Sequence, residues 1–437
     1  MWRNWTGDQS CEPAAIERPG SISDLQAVVG RAAERGQTVR ACGSGHSFTD
    51  VACTDGVMID LRPGMNRILD IDRSSGLAKV EAGINLHDLN NRLWDEQSLA
   101  IPNLGDIDVQ SIAGAISTST HGTGARVKTI ADSVEAMEVV TAAGDVLEAA
   151  VGSDADLVRA FRVGLGSLGV IASLTLRAEP AFTLQRRDHS LPLDEALGHF
   201  DELADGNDHF EFFIFPHTEV ALCRETKRVD GPPKPWSRAK AWWEETAVEN
   251  HAMGLVSRAS RRFPSRIPQI NRRIAGMLGG SVKTDRSYRV YATVRNVRFT
   301  EMEYAIPRER VADALRGVLD MIPRRGHAVG FPIEARVLDG DDAMLSTAYG
   351  RQTVYIAVHM YEGMAWEPYF RDVEAIMDDC EGRPHWGKRH FQTAQTLAPR
   401  YPEWDRFQEI RARLDPNGLF ANAYTDRVLG PVGVVVA

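Results

Sequence analysis

A glycine-rich loop with a histidine near its centre is the first feature of this sequence that suggests chemistry. The loop reads Gly43, Ser44, Gly45, His46, Ser47 and Phe48, and it follows Thr38–Cys42, a run typical of a short buried strand. Glycines permit positive φ angles, so such a loop can turn several backbone N–H groups toward one anion. Taken alone, the loop is more readily explained as a plain turn that carries an incidental histidine.

A second segment, from residue 105 to residue 124, is rich in small residues. Its hydroxyl, glycine and histidine residues include Ser111, Gly114, Thr118, Ser119, Thr120 and His121. These residue types supply hydrogen-bonding groups without bulk and let the backbone approach a ligand closely. A linker would also be rich in glycine and serine, but the interspersed isoleucines and alanines indicate burial. Two such loops in one region favour an extended, phosphate-bearing cofactor.

A third glycine-rich motif, Gly164–Gly169, matches the dinucleotide-binding pattern GxGxxG in its letters only. That pattern needs a strand before the glycines and a helix after them. Here a helical segment, Asp156–Arg162, precedes the glycines, and a β-branched run, Val170–Leu176, follows them. We therefore expect a helix-to-strand turn, and a nicotinamide-dependent dehydrogenase is disfavoured.

The second half of the chain contributes ionisable groups. Strand periodicity in Phe331–Val337 places Glu334 and Arg336 on one face, among apolar neighbours. This pair would lie either in a cavity or in a structural ion pair. His385 and Lys388 follow in the sequence His-Trp-Gly-Lys, where the lysine stands close to an aromatic residue and a flexible glycine.

The elements that would position these groups change in character near residue 180. Before it, helix and strand signals alternate, and Val134–Thr141 with Val146–Ala149 predicts a hairpin. After it, helical segments separate strand-like runs at Phe210–Phe215, Arg289–Val297, Ile333–Leu338 and Thr353–Tyr361.

The segment Arg224–Arg273 is locally basic and carries Trp236, Trp242 and Trp243. It predicts either a partner or membrane-surface contact, or a solvated helical insert whose aromatic residues pack on the sheet.

Length and composition limit the classes of function. The chain has 437 residues, 43% of them apolar, and a formal net charge of −10, which indicates a two-domain globular protein and argues against a general nucleic-acid binder. No apolar run approaches the roughly 20 residues of a membrane span, and no secretory signal is visible. Five scattered cysteines without a CxxC pair favour a cytoplasmic protein with neither a disulfide framework nor a sequence-readable zinc site. We expect no metal.

In this order, the motifs resemble the vanillyl-alcohol-oxidase superfamily of flavoenzymes, which have a PCMH-type FAD-binding domain, and within it the sugar-lactone and alditol oxidases. The match rests on Gly-Ser-Gly-His-Ser-Phe, Ser-Ile-Ala-Gly, Thr-His-Gly-Thr-Gly, Gly-Ser-Leu-Gly-Val, Glu-x-Arg and His-Trp-Gly-Lys. The resemblance implies an α+β protein with an FAD-binding domain of two α/β subdomains at 1–180. It also implies a cap domain at 181–415, with an antiparallel sheet over the flavin, and a segment at 416–437 that returns to the FAD domain.

The resemblance also implies roles for single residues. His46 would attach the flavin covalently, and Gly43, Ser44, Gly45 and Ser47 would line the pyrophosphate and flavin. The other residues implied to contact or flank FAD are Asp106, Ser111, Gly114, Thr118, Ser119, Thr120, His121, Ile171 and His385. Glu334, Arg336 and Lys388 would form the substrate site. There Arg336 and Lys388 would stabilise developing negative charge, and Glu334 would take part in proton transfer.

Two segments, His209–His217 and Met302–Pro307, resemble the aldonolactone oxidoreductases of this group. This resemblance implies oxidation at the C2 hydroxyl of an L-gulono-1,4-lactone type of substrate, which gives an ascorbate-like product. The alternative is an alditol oxidase acting on xylitol or sorbitol, although such enzymes tend to have serine where Asp106 stands.

The electron acceptor would be oxygen, cytochrome c or a dye. Gly105 lies where the resemblance places the control of oxygen access. A flavin-free carbohydrate-binding protein on the same fold is the competing hypothesis from another class, and His46 argues against it.

Overall fold

Three sheets dominate the architecture of this computed structural model, which describes residues 1–277, 279–293 and 296–433. The first sheet is parallel, with the strand order Ala15–Glu17, Val57–Asp60, Val39–Cys42. The second is antiparallel, with the order Val146–Ala150, Val134–Val140, Val170–Arg177, Leu77–Glu81, Ile68–Asp72. Two short ribbons pair Trp2–Arg3 with Ser10–Cys11 and Leu99–Ala100 with Glu179–Pro180.

The third sheet has eight antiparallel strands. Their order is Ser281–Arg286, Thr183–Pro192, Val220–Val229, His209–Ile214, Ile333–Leu338, Thr353–Tyr361, Phe299–Pro307, Arg383–Pro384. Strands that are distant in sequence become neighbours, so side chains from four parts of the chain meet on one face. We call this sheet the cap sheet.

Helices cover or connect the sheets. The α-helices are Ile22–Glu34, Leu86–Arg92, Ile112–Ser117, Ala155–Arg162, Leu193–Gly198, Phe200–Asp205, Arg238–Ala241, Met253–Arg262, Ile267–Met277, Ser287–Tyr291, Val311–Arg325, Glu367–Asp379, Ala394–Leu397, Trp404–Leu414 and Ala423–Leu429. Leu93–Gln97 and Trp242–Ala252 are π-helical, and Ile130–Ser133, Pro264–Arg266, Arg308–Arg310 and Ala398–Arg400 are 3₁₀ turns. Among the described helices, none combines the length and the apolar character that crossing a bilayer requires.

The larger apolar core lies between the first two sheets and the helices that cover them. It also contains residues from the end of the chain, among them Trp386, Phe407, Phe420 and Tyr424. The backbone N–H of Val39 donates to the carbonyl of Leu419 at 2.7 Å, which ties this end to the parallel sheet. The predicted domain boundaries at residues 180 and 415 stay a prediction. Because Trp386 and Phe407 already belong to this core, the contacts favour a chain that re-enters the first domain before residue 415.

A second core packs one face of the cap sheet against four helices, Leu193–Gly198, Phe200–Asp205, Val311–Arg325 and Glu367–Asp379. Alternate residues of the central strands fill it, such as Met302, Tyr304 and Ile306. Because successive strand side chains point to opposite faces, the residues between them face away from this core. The opposite face therefore carries Glu301, Glu303, Glu334, Arg336 and His359.

The mixture of helices with an antiparallel sheet confirms the α+β prediction. The predicted hairpin and the strands Ile333–Leu338 and Thr353–Tyr361 are confirmed. The strand predicted at Arg289–Val297 is wrong in its described part. There, Ser287–Tyr291 is a helix, and the Tyr288 hydroxyl donates to Asn91 at 2.8 Å, a tertiary contact that local alternation does not reveal. Residues 294 and 295 of that prediction lie outside the described residues.

Candidate active site

An open cleft of about 970 Å³ lies beside the parallel sheet and is lined by both donor-rich segments. The predicted residues on its wall are Gly43, Ser44, Gly45, His46, Ser47, Ser111, Gly114, Thr118 and Ile171. The two segments touch directly, since a Cβ at Gly43 would collide with the Ser111 hydroxyl. Any larger residue at position 43 would therefore displace the Ser111 hydroxyl, which accepts a hydrogen bond from the Gly114 N–H at 3.3 Å.

The loop after strand Val39–Cys42 offers backbone donors to this cleft. Gly45 has a φ of +71°, which turns the chain sharply at the loop centre. Within the described part of the chain, the backbone N–H groups of residues 44–47 donate to no other protein atom. Four free amides on the wall of a cleft suit a phosphate-bearing ligand, so this site fits the predicted cofactor.

His46 lies at the cleft wall, stacked on Trp5 with 5.1 Å between ring centroids. Burial, assisted by the Lys388 ammonium, lowers the pKa of His46 to about 4. The imidazole is therefore neutral at physiological pH, so it has a ring nitrogen lone pair that can attack an electrophile.

Arg40 is a cleft residue that sequence reasoning missed. Its buried guanidinium donates to the carbonyls of Val51, Leu165, Gly166 and Phe420 at 2.5–3.0 Å. This one side chain fixes three separate chain segments around the cleft. The turn at 164–169 is part of the cleft wall. As expected, it connects a helix, Ala155–Arg162, to a strand, Val170–Arg177.

Three predicted residues lie deeper than the cleft wall. Ser119 and Thr120 are buried, and the Gln110 amide donates to the Thr120 hydroxyl at 3.2 Å. His121 stacks on Tyr355 of the cap sheet with 3.6 Å between centroids, and its Nδ1 donates to the Gly122 carbonyl at 2.8 Å. This segment therefore joins the first core to the cap sheet.

His121, His385 and Glu303 bring possible metal-ligand atoms within 4.8 Å of one another. The N–H of Gly387 donates to Nδ1 of His385 at 3.0 Å, and burial lowers the pKa of His385 to about 3. The neutral ring then carries its proton on Nε2, so neither nitrogen keeps a lone pair for a metal ion. The His121 Nε2 lies 3.5 Å from a Glu303 carboxylate oxygen, so this cluster is better described as a buried histidine–carboxylate contact.

Glu334 and Arg336 form the centre of the charged face of the cap sheet. Arg336 Nη2 lies 2.5 Å from Glu334, and the same guanidinium contacts Glu211 at 3.2 Å and Asp106 at 3.5 Å. Glu334 pairs across the sheet with Ala357, which also pairs with Glu303. The small alanine side chain leaves room between the two carboxylates on this face.

The charges around Glu334 and Arg336 set their protonation. Burial raises the pKa of Glu334 to about 7. The Glu211 and Asp106 carboxylates also raise this pKa, whereas the positive charges of Arg336 and His359 lower it. Burial opposes the charge of Arg336, but its three carboxylate neighbours hold its pKa well above the ordinary value. The pair is thus a permanent cation beside a carboxyl group that titrates near neutrality.

Lys388 is held by a second group of residues. Its Nζ donates to the Glu301 carboxylate, which also lies 3.6 Å from His359 Nε2. Burial disfavours the ammonium, but Glu301 and Glu303 raise the pKa of Lys388. The preceding loop touches the histidine loop, since the Phe48 N–H donates to the Gly387 carbonyl at 2.7 Å. Lys388 is therefore a fixed cation close to His46.

A second cleft, of about 440 Å³, opens between the two parts of the chain. Gly105, Asp106, Gly122 and Thr123 line one side, and cap residues that include His209, Glu211, Tyr291 and Arg336 line the other. The Tyr291 hydroxyl lies 2.7 Å from His209 Nε2 and 3.1 Å from the Pro102 carbonyl, which fixes the cap to this loop. A polar molecule held here would contact Arg336.

Comparison with known proteins explains this arrangement. Residues 174–428 match the profile of the family described as D-arabinono-1,4-lactone oxidase, and residues 13–150 match that of the FAD binding domain. The chain belongs to the D-arabinono-1,4-lactone oxidase family. As a member, it is an FAD-dependent flavoprotein oxidoreductase, and the resemblance to the vanillyl-alcohol-oxidase superfamily is confirmed.

Relatives of this lactone oxidase family member span its full length. The chain is 52% identical to the L-gulono-1,4-lactone dehydrogenase of Mycobacterium tuberculosis, over 99% of each chain. It is 33% identical to the L-gulonolactone oxidase of Mus musculus, over 98% of each, and 29% identical to the alditol oxidase of a Streptomyces species, over 96% and 97%. A solved structure described as a solvent-stable cholesterol oxidase superposes with a TM-score of 0.80 over 98% of this chain and 97% of its own, at 18% identity, which shows a shared fold.

Sequence reasoning missed Glu301, Glu303, Glu211 and His359 on the charged face. The signal for the first two was present, because the run Glu301, Met302, Glu303, Tyr304 alternates charged and apolar residues as a half-buried strand does. Their contacts with Lys388 and His121 depend on the order of strands in the cap sheet, which local sequence does not specify.

Proposed function

We propose that this flavoprotein oxidises the C2 hydroxyl of an aldono-1,4-lactone of the L-gulono-1,4-lactone type, giving an ascorbate-like product. The observation that carries the proposal is the Glu334–Arg336 pair, buried on the cap sheet at the edge of the second cleft and facing the loop that contains Asp106. The names of the M. tuberculosis and mouse relatives support a lactone over an alditol.

FAD would occupy the first cleft, where the free amides of residues 44–47 would meet its pyrophosphate. Gly43, Ser111 and Gly114 would allow close approach, and Ile171 would lie beside the more distant part of the cofactor. When bound, FAD accepts the hydride that leaves the substrate carbon. We propose that His46 is covalently linked to it, because its neutral imidazole is fixed at the cleft wall next to Lys388.

Loss of a hydride from an alcohol carbon also requires loss of the hydroxyl proton. In this proposal Glu334 accepts that proton, because its raised pKa lets the carboxylate form exist near neutral pH and still bind a proton well. Arg336 orients the hydroxyl and stabilises the developing alkoxide with a charge that does not titrate.

Lys388 would supply a second fixed positive charge on the side of His46. The Glu301 carboxylate orients the Lys388 ammonium and lies beside His359, whose pKa it raises against the effect of burial. This hydrogen-bonded group holds the cation in place before substrate arrives, so little reorganisation is needed during the reaction. His385 and His121, whose ring centroids lie 5.6 Å apart, would contact the cofactor from behind the cleft wall.

For the electron acceptor, we propose dyes or cytochrome c, with a variable contribution from oxygen. The absence of a side chain at Gly105 supports access of an acceptor such as oxygen, because a Cβ there would approach the His121 carbonyl to 3.2 Å and narrow this part of the second cleft.

We also propose a reducing, cytoplasmic environment for the protein. The five cysteines all lie in the described part of the chain and form no disulfide bond, which supports this expectation.

Steady-state turnover tests the proposal. The purified protein is given L-gulono-1,4-lactone, a galactonolactone or xylitol, each with oxygen, cytochrome c or a dye as acceptor. We expect turnover of a lactone with cytochrome c or dye, and little with xylitol. Efficient oxidation of xylitol or sorbitol with no activity on any lactone would contradict the substrate assignment.

A further inference from the structure

Residues 238–277 form a helical insert between two strands of the cap sheet, Val220–Val229 and Ser281–Arg286. The side chains that this insert turns toward the protein are mostly small or polar, namely Ser257, Ser260, Ile267, Asn271 and Ala275. The Asn271 amide donates to the carbonyls of Pro216 and Val329, both at 3.1 Å. Polar contacts therefore hold the insert on the cap.

The large apolar side chains of the insert point outward instead. Trp242, Trp243, Leu255, Phe263 and Met277 are exposed by 55% to 83%. The alternative hypothesis from the sequence is that the three tryptophans of Arg224–Arg273 pack on the sheet. Of these three, only Trp236, which precedes the insert, does so, because its ring nitrogen donates to the Val282 carbonyl at 3.1 Å. A helix pair with small polar residues inside and large apolar residues outside has the reverse of the usual distribution. Apolar residues concentrated in this way mark an interaction surface.

The charge of the insert limits what can cover this surface. Residues 238–277 contain seven arginines and one lysine against three glutamates, in a chain whose net charge is −10. The glutamates all lie within residues 244–249, and residues 253–277 contain six of the arginines and no aspartate or glutamate. All six are exposed, among them Arg258 and Arg262 one helical turn apart. The complementary surface must therefore be anionic, and it must also accept tryptophan, leucine and phenylalanine side chains.

We propose that the helical insert docks on an anionic phospholipid surface. Such a surface satisfies both requirements, because headgroup phosphates bind arginine and the boundary with the acyl chains accepts aromatic and aliphatic side chains. An acidic protein would match the arginines but offers no general reason for five exposed apolar side chains. The proposal is independent of the substrate and needs no spanning helix.

Co-sedimentation of the FAD-loaded protein with vesicles tests this docking. We expect binding to vesicles of phosphatidylcholine mixed with phosphatidylglycerol, at least tenfold weaker binding to phosphatidylcholine alone, and release by salt. Trp242→Ala/Trp243→Ala and Arg258→Gln/Arg262→Gln should each reduce binding at least tenfold. Leu69→Ala and Arg31→Gln/Arg35→Gln are matched controls, since they remove exposed groups elsewhere and should leave binding unchanged.

Two further measurements keep the proposal testable if a variant folds poorly. In the unaltered protein, brominated phospholipid in anionic vesicles should quench tryptophan fluorescence. In sedimentation velocity without lipid, we expect a monomer at both low and high salt.

Three results would overturn the proposal. They are equal binding to both vesicle types, no binding at low salt, and a salt-sensitive dimer that Trp242→Ala/Trp243→Ala dissociates. The dimer would make this face a contact between two copies of the chain.

Discussion

Replacing Glu334 with glutamine removes the proposed proton acceptor and leaves most of the site intact. Glutamine keeps the shape of the side chain and an oxygen for Arg336, which also retains Glu211 and Asp106 as partners. The amide cannot take up the hydroxyl proton. We therefore expect flavin reduction to slow by about 10²- to 10⁴-fold, the range for loss of a general base.

The pH dependence gives a second magnitude from the same residue. Since the folded protein raises the pKa of Glu334 to about 7, the carboxylate is present above that pH and is lost as the pH falls through it. About a tenth of the molecules carry the carboxylate one pH unit below the pKa and about nine tenths one unit above. The rate of flavin reduction should therefore rise about tenfold from pH 6 to pH 8 and then level off.

Anaerobic stopped-flow spectroscopy measures this step, because it follows the bleaching of the flavin by substrate without interference from the acceptor. Glu211→Gln is the matched control, since Glu211 also contacts Arg336 and its carboxylate raises the pKa of Glu334. Removing that negative charge should move the rise in rate to lower pH and cost less activity than Glu334→Gln. A flat profile for the unaltered protein, with Glu334→Gln within about threefold of it, would refute the role of Glu334.

Three other predictions concern the cofactor and its surroundings. For His46, acid precipitation should leave the yellow colour in the pellet, and His46→Ala should release it into the supernatant; release from the unaltered protein would rule out a covalent bond. Lys388→Met should slow anaerobic flavin reduction by about 10²-fold or more, the scale for loss of one group that stabilises developing charge, and a rate within about threefold would make Lys388 a structural partner of Glu301. Gly105→Ala should lower turnover with oxygen and leave dye-linked turnover nearly unchanged, because the added methyl group narrows the cleft beside the His121 carbonyl; equal loss of both activities would show that it disturbs substrate or FAD placement.

The parts of this molecule that sequence predicted well are those set by local pattern. The alternation around Glu334 and Arg336 specified both the strand Ile333–Leu338 and the shared face of the two charges. The glycines around His46 likewise indicated a loop with free backbone donors, and this loop lies on the wall of the first cleft. The strand was specified by neighbouring residues alone, whereas the cofactor prediction also needed the small-residue segment at 105–124.

The parts that sequence did not predict depend on contacts between distant segments. His359 meets Glu301 only because strands Thr353–Tyr361 and Phe299–Pro307 are neighbours in the cap sheet. Arg40 gains its four carbonyl partners from segments more than a hundred residues away as well as from Val51. The helix Ser287–Tyr291 forms where local alternation favoured a strand, because Tyr288 and Tyr291 bind to the opposite part of the chain.

A single anaerobic turnover tests the central claim most directly. The FAD-loaded protein is mixed with excess L-gulono-1,4-lactone in the absence of any acceptor, the flavin absorbance is followed, and the products are analysed. The proposed function predicts full bleaching of the flavin and one equivalent of a lactone oxidised at C2 for each FAD. A flavin that stays oxidised with this lactone and its stereoisomers, but is bleached by xylitol, would contradict it.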